Sequence, residues 1–449
     1  MFVLKILKKS NLKSIQNLFS NSKFKKNFLV LIFIMIAFLI ARIVHGNFRL
    51  TDSNEYFATA ELLKNGKYFG QTTDIIESIN LTKRPFLYPL LILFLGFLND
   101  LVIVLFQTIL GIFNLFLVLQ IFKNLGGKSY YLITILLFLT PSIFINTHLI
   151  MTETIASTVM LLIFRQFQNK LDNRKIVYIQ ILLCLLFFLK PAFYLFTIVN
   201  LLFFIFYFIR TKTFQISVFV PLLMSISYIG YNQHRTGFSH FSSIQNINLI
   251  DYNLYLFKMK QEGIDKAELW KKSVYEESEK FKTFEEYSSY LDKTGKSEIK
   301  NNLIPYAFFH VKGAIRGMFD PGRFDLITFH EQQDASQGFM QLLNKEDFMS
   351  VLKGLLEYKY KIVILILIPI FLTNIFKWFF ALSYLWNNRK LWNFRNMYLI
   401  LICGYSILIS GPVNTCRYMV LLQGIVIIIA VLGWENFRQK KAPRLSEAF

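Results

Sequence analysis

The chain has 449 residues, of which 54% are hydrophobic and only 17% are charged. Soluble domains carry about 25% charged residues, so this composition excludes an ordinary soluble protein and indicates a membrane protein. The formal net charge is +21, but the lysines and arginines lie in short clusters beside apolar runs. That pattern is typical of the positive-inside bias and of contact with anionic membrane lipids, so we expect no nucleic-acid partner.

The N-terminal residues 1–27 hold seven lysines and no acid, and they predict a basic cytoplasmic segment. Phe28–Val44 then predicts the first transmembrane helix, because no small-residue cleavage site follows it. A transmembrane helix needs about 20 apolar residues. Further spans are predicted at about 101–122, 129–148, 151–168, 176–190, 191–209, 214–232, 361–385, 397–411 and 418–434. We therefore predict an all-α integral membrane protein with about ten transmembrane helices.

Residues 86–98 are apolar but too few to cross comfortably. If they stay at the membrane surface, every basic cluster falls on the cytoplasmic side with the N-terminus. These clusters are 5–26, Lys123 with Lys128, 170–175, 210–212, 389–395 and 438–444. If they cross, the first cluster is separated from all the others. The charge bias therefore predicts a membrane-surface helix at 86–98.

This topology divides the chain into five parts. They are the cytoplasmic segment 1–27, a transmembrane domain 28–232 with an outer loop 46–100, an outer segment 233–358, C-terminal transmembrane helices 359–436 and a cytoplasmic tail 437–449. The outer segment is polar, with helical patterns at Ala267–Tyr275 and Phe281–Leu291 and a turn at Asp320-Pro321-Gly322. We expect it to be largely helical.

The outer loop 46–100 carries two acids at the start of a short predicted helix. Asp52 and Glu55 have the D-x-x-E spacing of a capping box, and Gly66 predicts the end of that helix. Asp52 could be only the helix cap. It could also be a general base, because a carboxylate at an apolar surface can accept a proton from a hydroxyl. Glu55 could complete the box, orient Asp52 or share a divalent cation, but the spacing does not indicate a metal, and no cofactor is predicted.

Cations are predicted on the same outer face as Asp52. Lys83 and Arg84 could extend toward lipid headgroups or bind a phosphate, and the residues leave both options open. Ionisable residues at membrane depth are costly and usually face a cavity or a partner. The predicted topology brings further charged residues to this face, which predicts one polar pocket. They are Glu153, Lys190, Arg235 and Arg417.

The order of these motifs resembles the GT-C superfamily of polytopic glycosyltransferases, nearest the protein O-mannosyltransferase and aminoarabinose-transferase-like branch. In the first loop the similarity lies in Asp52, Glu55-Tyr56 and Lys83-Arg84-Pro85…Tyr88-Pro89. Further along the chain it lies in Thr152-Glu153, Lys190-Pro191, Tyr231-Asn232…Gly237…Ser242-Ser243 and Arg417-Tyr418. The chain departs from the family in having no adjacent acidic pair in the first loop.

The resemblance implies inverting transfer of a sugar from a polyprenyl-phosphate-linked donor to an acceptor hydroxyl on a lipid, a glycan or a protein. Asp52 would be the base, with Glu55 beside it, at the outer face of a bacterial inner or plasma membrane. The implied ligands of the donor phosphate are Lys83, Arg84, Lys190, Arg235 and Arg417. The implied supporting residues are Tyr56, Tyr88 and Glu153.

Two other functions remain open on the sequence. A polysaccharide polymerase or ligase acting on undecaprenyl-pyrophosphate glycans would use arginines and histidines of 233–358, and Asp52 would then be only a cap. A lipid or solute transporter would carry no catalytic residues and would place charged residues along a pathway through the membrane midplane.

Overall fold

The computed structural model describes residues 20–96, 99–331, 349, 361–389, 393–413 and 415–446. Within these ranges the chain is all-helical and contains no strand. The first half of the chain forms helices α1 Ser22–His45, α2 Thr51–Lys64, α3 Ile75–Thr82, α4 Leu87–Leu95, α5 Asp100–Asn124, α6 Tyr130–Phe138, α7 Ser142–Thr147, α8 Glu153–Gln166, α9 Asn173–Leu189, α10 Phe196–Thr211 and α11 Val220–Thr236.

The second half begins with α12 Ile244–Ile247, which continues through a π-helical turn at Asn248–Leu254 into the next helix. The remaining helices are α13 Tyr255–Glu262, α14 Ile264–Ser278, α15 Phe284–Asn301, α16 Leu303–Phe319, α17 Arg323–Glu331, α18 Lys361–Asn387, α19 Phe394–Ser410 and α20 Cys416–Ser446. The helix predicted at Ala267–Tyr275 lies within α14, and the one predicted at Phe281–Leu291 begins three residues later, at Phe284, as part of α15. The part of segment 233–358 beyond Glu331 lies almost entirely outside the described residues.

Six segments among the described residues are long and apolar enough to cross a membrane, judged by length and composition. They are Ser22–His45, Asp100–Asn124, Pro191–Thr211, Leu365–Asn387, Phe394–Val413 and Cys416–Gln439. The predicted count of about ten is therefore not confirmed. Three of the other predicted spans form shorter helices, α8, α9 and α11, and the span predicted at 129–148 is divided into α6 and α7. The division falls just before Pro141, which precedes the first residue of α7, and proline interrupts the hydrogen bonding of a continuous helix.

Helix α4 occupies most of the segment that is expected at the membrane surface. Its nine residues span about 14 Å at the α-helical rise, less than half of the hydrocarbon thickness. It is thus shorter than a membrane-crossing helix, and it packs beside α2 and α5. Its position at the membrane surface stays a prediction.

The two polar segments of the chain pack on each other. The backbone N–H of Thr72 donates to the Arg235 carbonyl at 2.9 Å, and the N–H of Phe284 donates to Thr73 at 2.9 Å. Helix α15 also contacts α3. The first loop therefore lies between the helical bundle and the later polar segment, on one side of the molecule.

Arg235 is part of this contact. The prediction that it lies with the other cations as a phosphate ligand is wrong. The buried guanidinium donates to the Tyr68 carbonyl at 2.6 Å and to Asn232 Oδ1 at 2.7 Å. It also lies over the rings of Tyr68 and Tyr231. Its donors are thus occupied in joining the first loop to the end of α11, so Arg235 stabilises the packing of these segments.

Candidate active site

Seven charged side chains form one network in which cations and carboxylates alternate. Each member contacts the next through an ion pair, in the order Lys83, Glu55, Arg84, Asp52, Arg417, Glu153, Lys190. We call this set the ion-pair network. It brings together all the predicted ionisable site residues except Arg235.

The first half of the network lies within the first loop. Lys83 Nζ is 2.7 Å from Glu55 Oε1. Arg84 then bridges the two acids, because its Nε donates to Glu55 Oε2 at 2.8 Å and its Nη2 donates to Asp52 Oδ1 at 3.0 Å. One arginine thus fixes the relative positions of both acids.

The second half joins the loop to the ends of three helices, α8, α9 and α20. Arg417 donates from Nη2 to Asp52 Oδ2 and from Nε to Glu153 Oε1, the latter at 2.8 Å. Lys190 Nζ donates to the same Glu153 oxygen at 2.7 Å. Arg417 is therefore the link between the loop and the helical bundle.

Asp52 and Glu55 point to the same side because residues three apart share a face of a helix. They do not form the predicted capping box. The N-cap of α2 is Leu50, and the Ser53 hydroxyl accepts a hydrogen bond from its N–H at 2.8 Å. The helix ends at Lys64, and Gly66 takes a left-handed conformation directly after it, with φ 70°. Since Ser53 makes the cap contact, both carboxylates are available to bind cations.

The other three charged residues, Glu153, Lys190 and Arg417, lie where helices begin or end. Glu153 is the first residue of α8, where the helix dipole favours a carboxylate. Lys190 follows the last residue of α9, and Pro191 begins a separate 3₁₀ turn. Arg417 is the second residue of α20. Because α8 packs against both α9 and α20, these helix ends meet at one point.

The network is partly buried and carries a positive excess. Four cations face three carboxylates, which leaves one unit of positive charge. The Glu153 side chain is fully buried, whereas that of Asp52 is 30% exposed. Burial raises the pKa of Asp52, but the charges of Arg417 and Arg84 outweigh burial and hold that pKa well below its usual range. Asp52 is therefore ionised and open to solvent.

The two tyrosines with a predicted supporting role, Tyr56 and Tyr88, lie close to Arg84. The guanidinium of Arg84 lies over the Tyr56 ring, 4.7 Å from its centroid. Tyr88 packs edge-on against Tyr56 with a centroid separation of 4.9 Å, and its hydroxyl donates to Gln107 at 2.6 Å. These contacts restrict the rotation of Arg84.

Tyr252 lies at the site although no sequence pattern marked it. It belongs to the π-helical turn and is 47% exposed. Burial raises the pKa of its phenol, and the charges of Asp52 and Glu55 raise that pKa further, which places Tyr252 near both acids. π-helical turns often occur at functional sites, but they leave no clear signal in a single sequence.

An apolar groove begins beside the ion-pair network. It has a volume of about 410 Å³ and is lined by side chains of α4, α5, α8 and α9. Its lining is entirely apolar and includes Leu87, Ile155 and Leu189. These three residues follow Arg84 by three positions, follow Glu153 by two and precede Lys190 by one. The groove and the network therefore lie next to each other.

A second polar cluster surrounds Cys416, the residue before Arg417. The carboxylate of Asp320 accepts the backbone N–H of Cys416 at 2.7 Å, and Asp325 accepts Asn146 Nδ2 at 2.8 Å and the Cys416 thiol at 3.2 Å. Both carboxylates are buried. Burial raises the pKa of Asp320 to about 7 and that of Asp325 to about 6. This cluster holds the start of α20, and hence Arg417, in place.

Within the described ranges no three histidine, cysteine or acidic side chains come together in a way that could hold a metal ion. The expectation that the chain needs no cofactor stays a prediction.

Comparison of the chain with models of protein families, with curated protein sequences and with solved structures finds no match. The family resemblance therefore rests on the motifs of this sequence.

We expect Glu153→Gln to destabilise the protein. The change leaves the buried cations Lys190 and Arg417 without their shared carboxylate, and removing one partner of a buried ion pair costs about 3–5 kcal/mol. Thermal unfolding of the purified chain in detergent measures the effect. The control is Glu61→Gln, which removes an exposed acid 3.8 Å from Lys64 and should change stability little. Equal unfolding temperatures for the two variants would contradict this account.

We also expect the Asp320 cluster to make stability depend on pH. A carboxyl group whose pKa is raised by folding binds a proton that the unfolded chain releases, so its contribution is lost as pH rises from about 4 to about 7. Relative to Asp320→Asn, the wild type should therefore lose stability between about pH 4 and about pH 7. The exposed Asp265→Asn is the control. A wild-type stability that tracks Asp320→Asn at every pH would show that Asp320 ionises normally.

Proposed function

We propose that the chain is a membrane glycosyltransferase of the GT-C type, which moves a sugar from a polyprenyl-phosphate-linked donor to an acceptor hydroxyl. The observation that carries this proposal is the apolar groove that begins beside the positively charged ion-pair network. A ligand that suits both features has a long apolar chain with an anionic group at its end. A polyprenyl phosphate has this chemistry.

The donor would lie with its isoprenoid chain in the apolar groove and its phosphate beside the network. Leu87 and Leu189 line the groove close to Arg84 and Lys190. Arginine binds phosphate through two parallel hydrogen bonds, and lysine acts as a point charge. The donor phosphate would therefore compete with the carboxylates of the network for Arg84, Lys190 and Arg417.

This competition supports a role for Asp52 as the base. Its two arginine partners lower its proton affinity in the present arrangement. A phosphate that draws Arg84 and Arg417 away would raise that affinity, because the pKa of a carboxylate rises when neighbouring cations are neutralised. The base would thus be strengthened only when the donor is bound.

The reaction is then a single displacement. The acceptor oxygen forms a bond to the anomeric carbon, and the bond from that carbon to the phosphate oxygen breaks. The electron pair leaves with the lipid phosphate, whose charge the network cations stabilise. The acceptor proton passes to Asp52, and the configuration at the anomeric carbon inverts. Tyr252 is half-exposed and feels the charges of both acids, and we expect it to contact the sugar or the acceptor.

The proposal includes the membrane topology. Helices α9 and α11 have 17 residues each, which is about 26 Å and close to the hydrocarbon thickness. With the shorter α8 and the divided α6–α7 pair as further crossings, about ten spans result and α4 stays at the surface. The network then lies at the outer face of a bacterial inner or plasma membrane.

One observation favours the transporter alternative. Lys377 is fully buried in the candidate span of α18, where its ammonium donates to Thr140 Oγ1 and Gln423 Oε1. Intramembrane lysines often mark transport pathways. The charges of the ion-pair network, however, gather at one end of the helices. This supports chemistry at an interface over passage through the midplane.

We expect Asp52→Asn to reduce transfer by about 10²- to 10⁴-fold, the usual contribution of a general base. Asparagine keeps the shape of the side chain and one acceptor oxygen but cannot take the proton. The assay supplies membranes containing the chain with polyprenyl-phosphate-linked mannose, glucose or arabinose and measures sugar incorporated into envelope material. Glu61→Gln, an exposed change on the same helix, is the control. Transfer by Asp52→Asn at the wild-type rate would exclude Asp52 as the base.

A further inference from the structure

A second cavity has a volume of about 290 Å³. Two of its lining residues, Ser242 and Ser243, donate hydrogen bonds to backbone carbonyls of the first loop. Its walls come from the loop after α11, from α12 and from α15, and Tyr194 and Ile229 complete the lining. We call it the hydroxyl pocket. Its volume is near the lower end of the range for small-ligand pockets, about 300–1,000 Å³, which suits one sugar unit.

Uncharged polar groups are frequent in the lining of the hydroxyl pocket. They are Ser239, Ser242, Ser243, Gln245, Asn246 and Ser288. The one acidic and one basic side chain of the lining, Asp292 and Lys296, pair with each other at 2.6 Å. Burial lowers the pKa of His240, which also lines the pocket, to about 4, so its ring is neutral at neutral pH. The lining therefore carries no net charge, and it does not suit an anion or a cation.

The polar groups present hydrogen-bond acceptors. Ser242 donates its hydroxyl proton to the Lys83 carbonyl at 2.7 Å, and Ser243 donates to Ile79 at 3.0 Å. Asn246 donates from Nδ2 to the Ser288 carbonyl at 3.2 Å. A hydroxyl has one donor and two acceptor lone pairs, and an amide keeps its carbonyl oxygen. Ser242 is fully buried, but Ser243 keeps its acceptor lone pairs, and Asn246 keeps its carbonyl oxygen and one N–H. These two groups can therefore meet hydroxyl groups of a ligand.

Aromatic rings form the apolar part of the pocket. Tyr194 and Phe241 are stacked with a centroid separation of 5.0 Å and an interplanar angle of 9°. Phe238 and Phe284 meet edge-on beside them. Phe241 and Phe284 are buried, so the ring surface open to the pocket is that of Tyr194 and Phe238. Ring surface next to fixed hydrogen-bonding groups suits a ligand with both C–H faces and hydroxyl edges, and a sugar ring has this form.

We propose that the hydroxyl pocket binds a neutral saccharide and that this saccharide is the acceptor for transfer. The acceptor role rests on the proposed function, whereas the binding itself does not. Lys83 connects the two sites, because its carbonyl accepts from Ser242 of the pocket while its ammonium contacts Glu55 of the ion-pair network. An acceptor seated in the pocket is thus held against the segment that carries Lys83 and Arg84.

The binding test uses the full chain in detergent micelles and three probes: methyl α-mannoside, methyl β-glucoside and N-acetylglucosamine. Saturation-transfer NMR should detect contact with at least one of them at millimolar concentration. Gln245→Trp should weaken that binding at least tenfold, because the indole fills the pocket. The Gln245 side chain makes no hydrogen bond within the described part of the chain, so the change removes none. Gln261→Trp, the same change on the exposed side of α13, should leave binding unchanged. If no probe binds, or if Gln245→Trp binds as the wild type does, the pocket is not a saccharide site.

The acceptor role has its own readout. The probe that binds should inhibit transfer to envelope material in the wild type and should do so less in Gln245→Trp. Binding without inhibition overturns the acceptor role. Asp52→Asn should lose transfer but keep wild-type binding of the probe, so failure of the pocket and failure of the proposed chemistry give different results.

Discussion

The two hydrogen bonds of Arg417 hold the candidate site together. One reaches Asp52 in the first loop, and the other reaches Glu153 at the start of α8. Charged groups are costly to bury unless each has a partner. The alternating order of the network meets that condition for all seven members, while Asp320 and Cys416 hold the start of α20 in position. Ion pairs thus join the first loop to the helical bundle.

In the proposed reaction, the same contacts connect stability with reactivity. An arginine that stabilises Asp52 as a carboxylate also makes it a weaker base. A group that replaces the carboxylate as the arginine's partner would reverse both effects. The network carries one more cation than carboxylates, so it can accept a further anion, and the apolar groove beside it restricts which anions carry a suitable tail. Selection of the donor and strengthening of the base would follow from one binding event.

Part of this arrangement could be predicted from the sequence. Alternation of apolar runs with basic clusters determined which helix ends share a face, and this brought Asp52, Lys83, Arg84, Glu153, Lys190 and Arg417 to one place. Arg235 was misplaced because its partners are the backbone carbonyls of Tyr68 and Leu81, whose positions depend on the tertiary path of the loop. The capping box failed for a related reason: Ser53 makes the cap contact and also donates to the Ile150 carbonyl. The apolar run at 129–148 also predicted one long helix, but the structure has two shorter ones because Pro141 interrupts the segment.

The most direct measurement is a cryo-electron microscopy structure of the full chain in lipid nanodiscs with decaprenyl phosphate. The account predicts that the isoprenoid chain lies along Leu87, Ile155 and Leu189 and that the phosphate contacts Arg84 and Arg417, with Asp52 released from at least one of them. A phosphate bound elsewhere, with Asp52 still held by both arginines and the apolar groove closed, would contradict it.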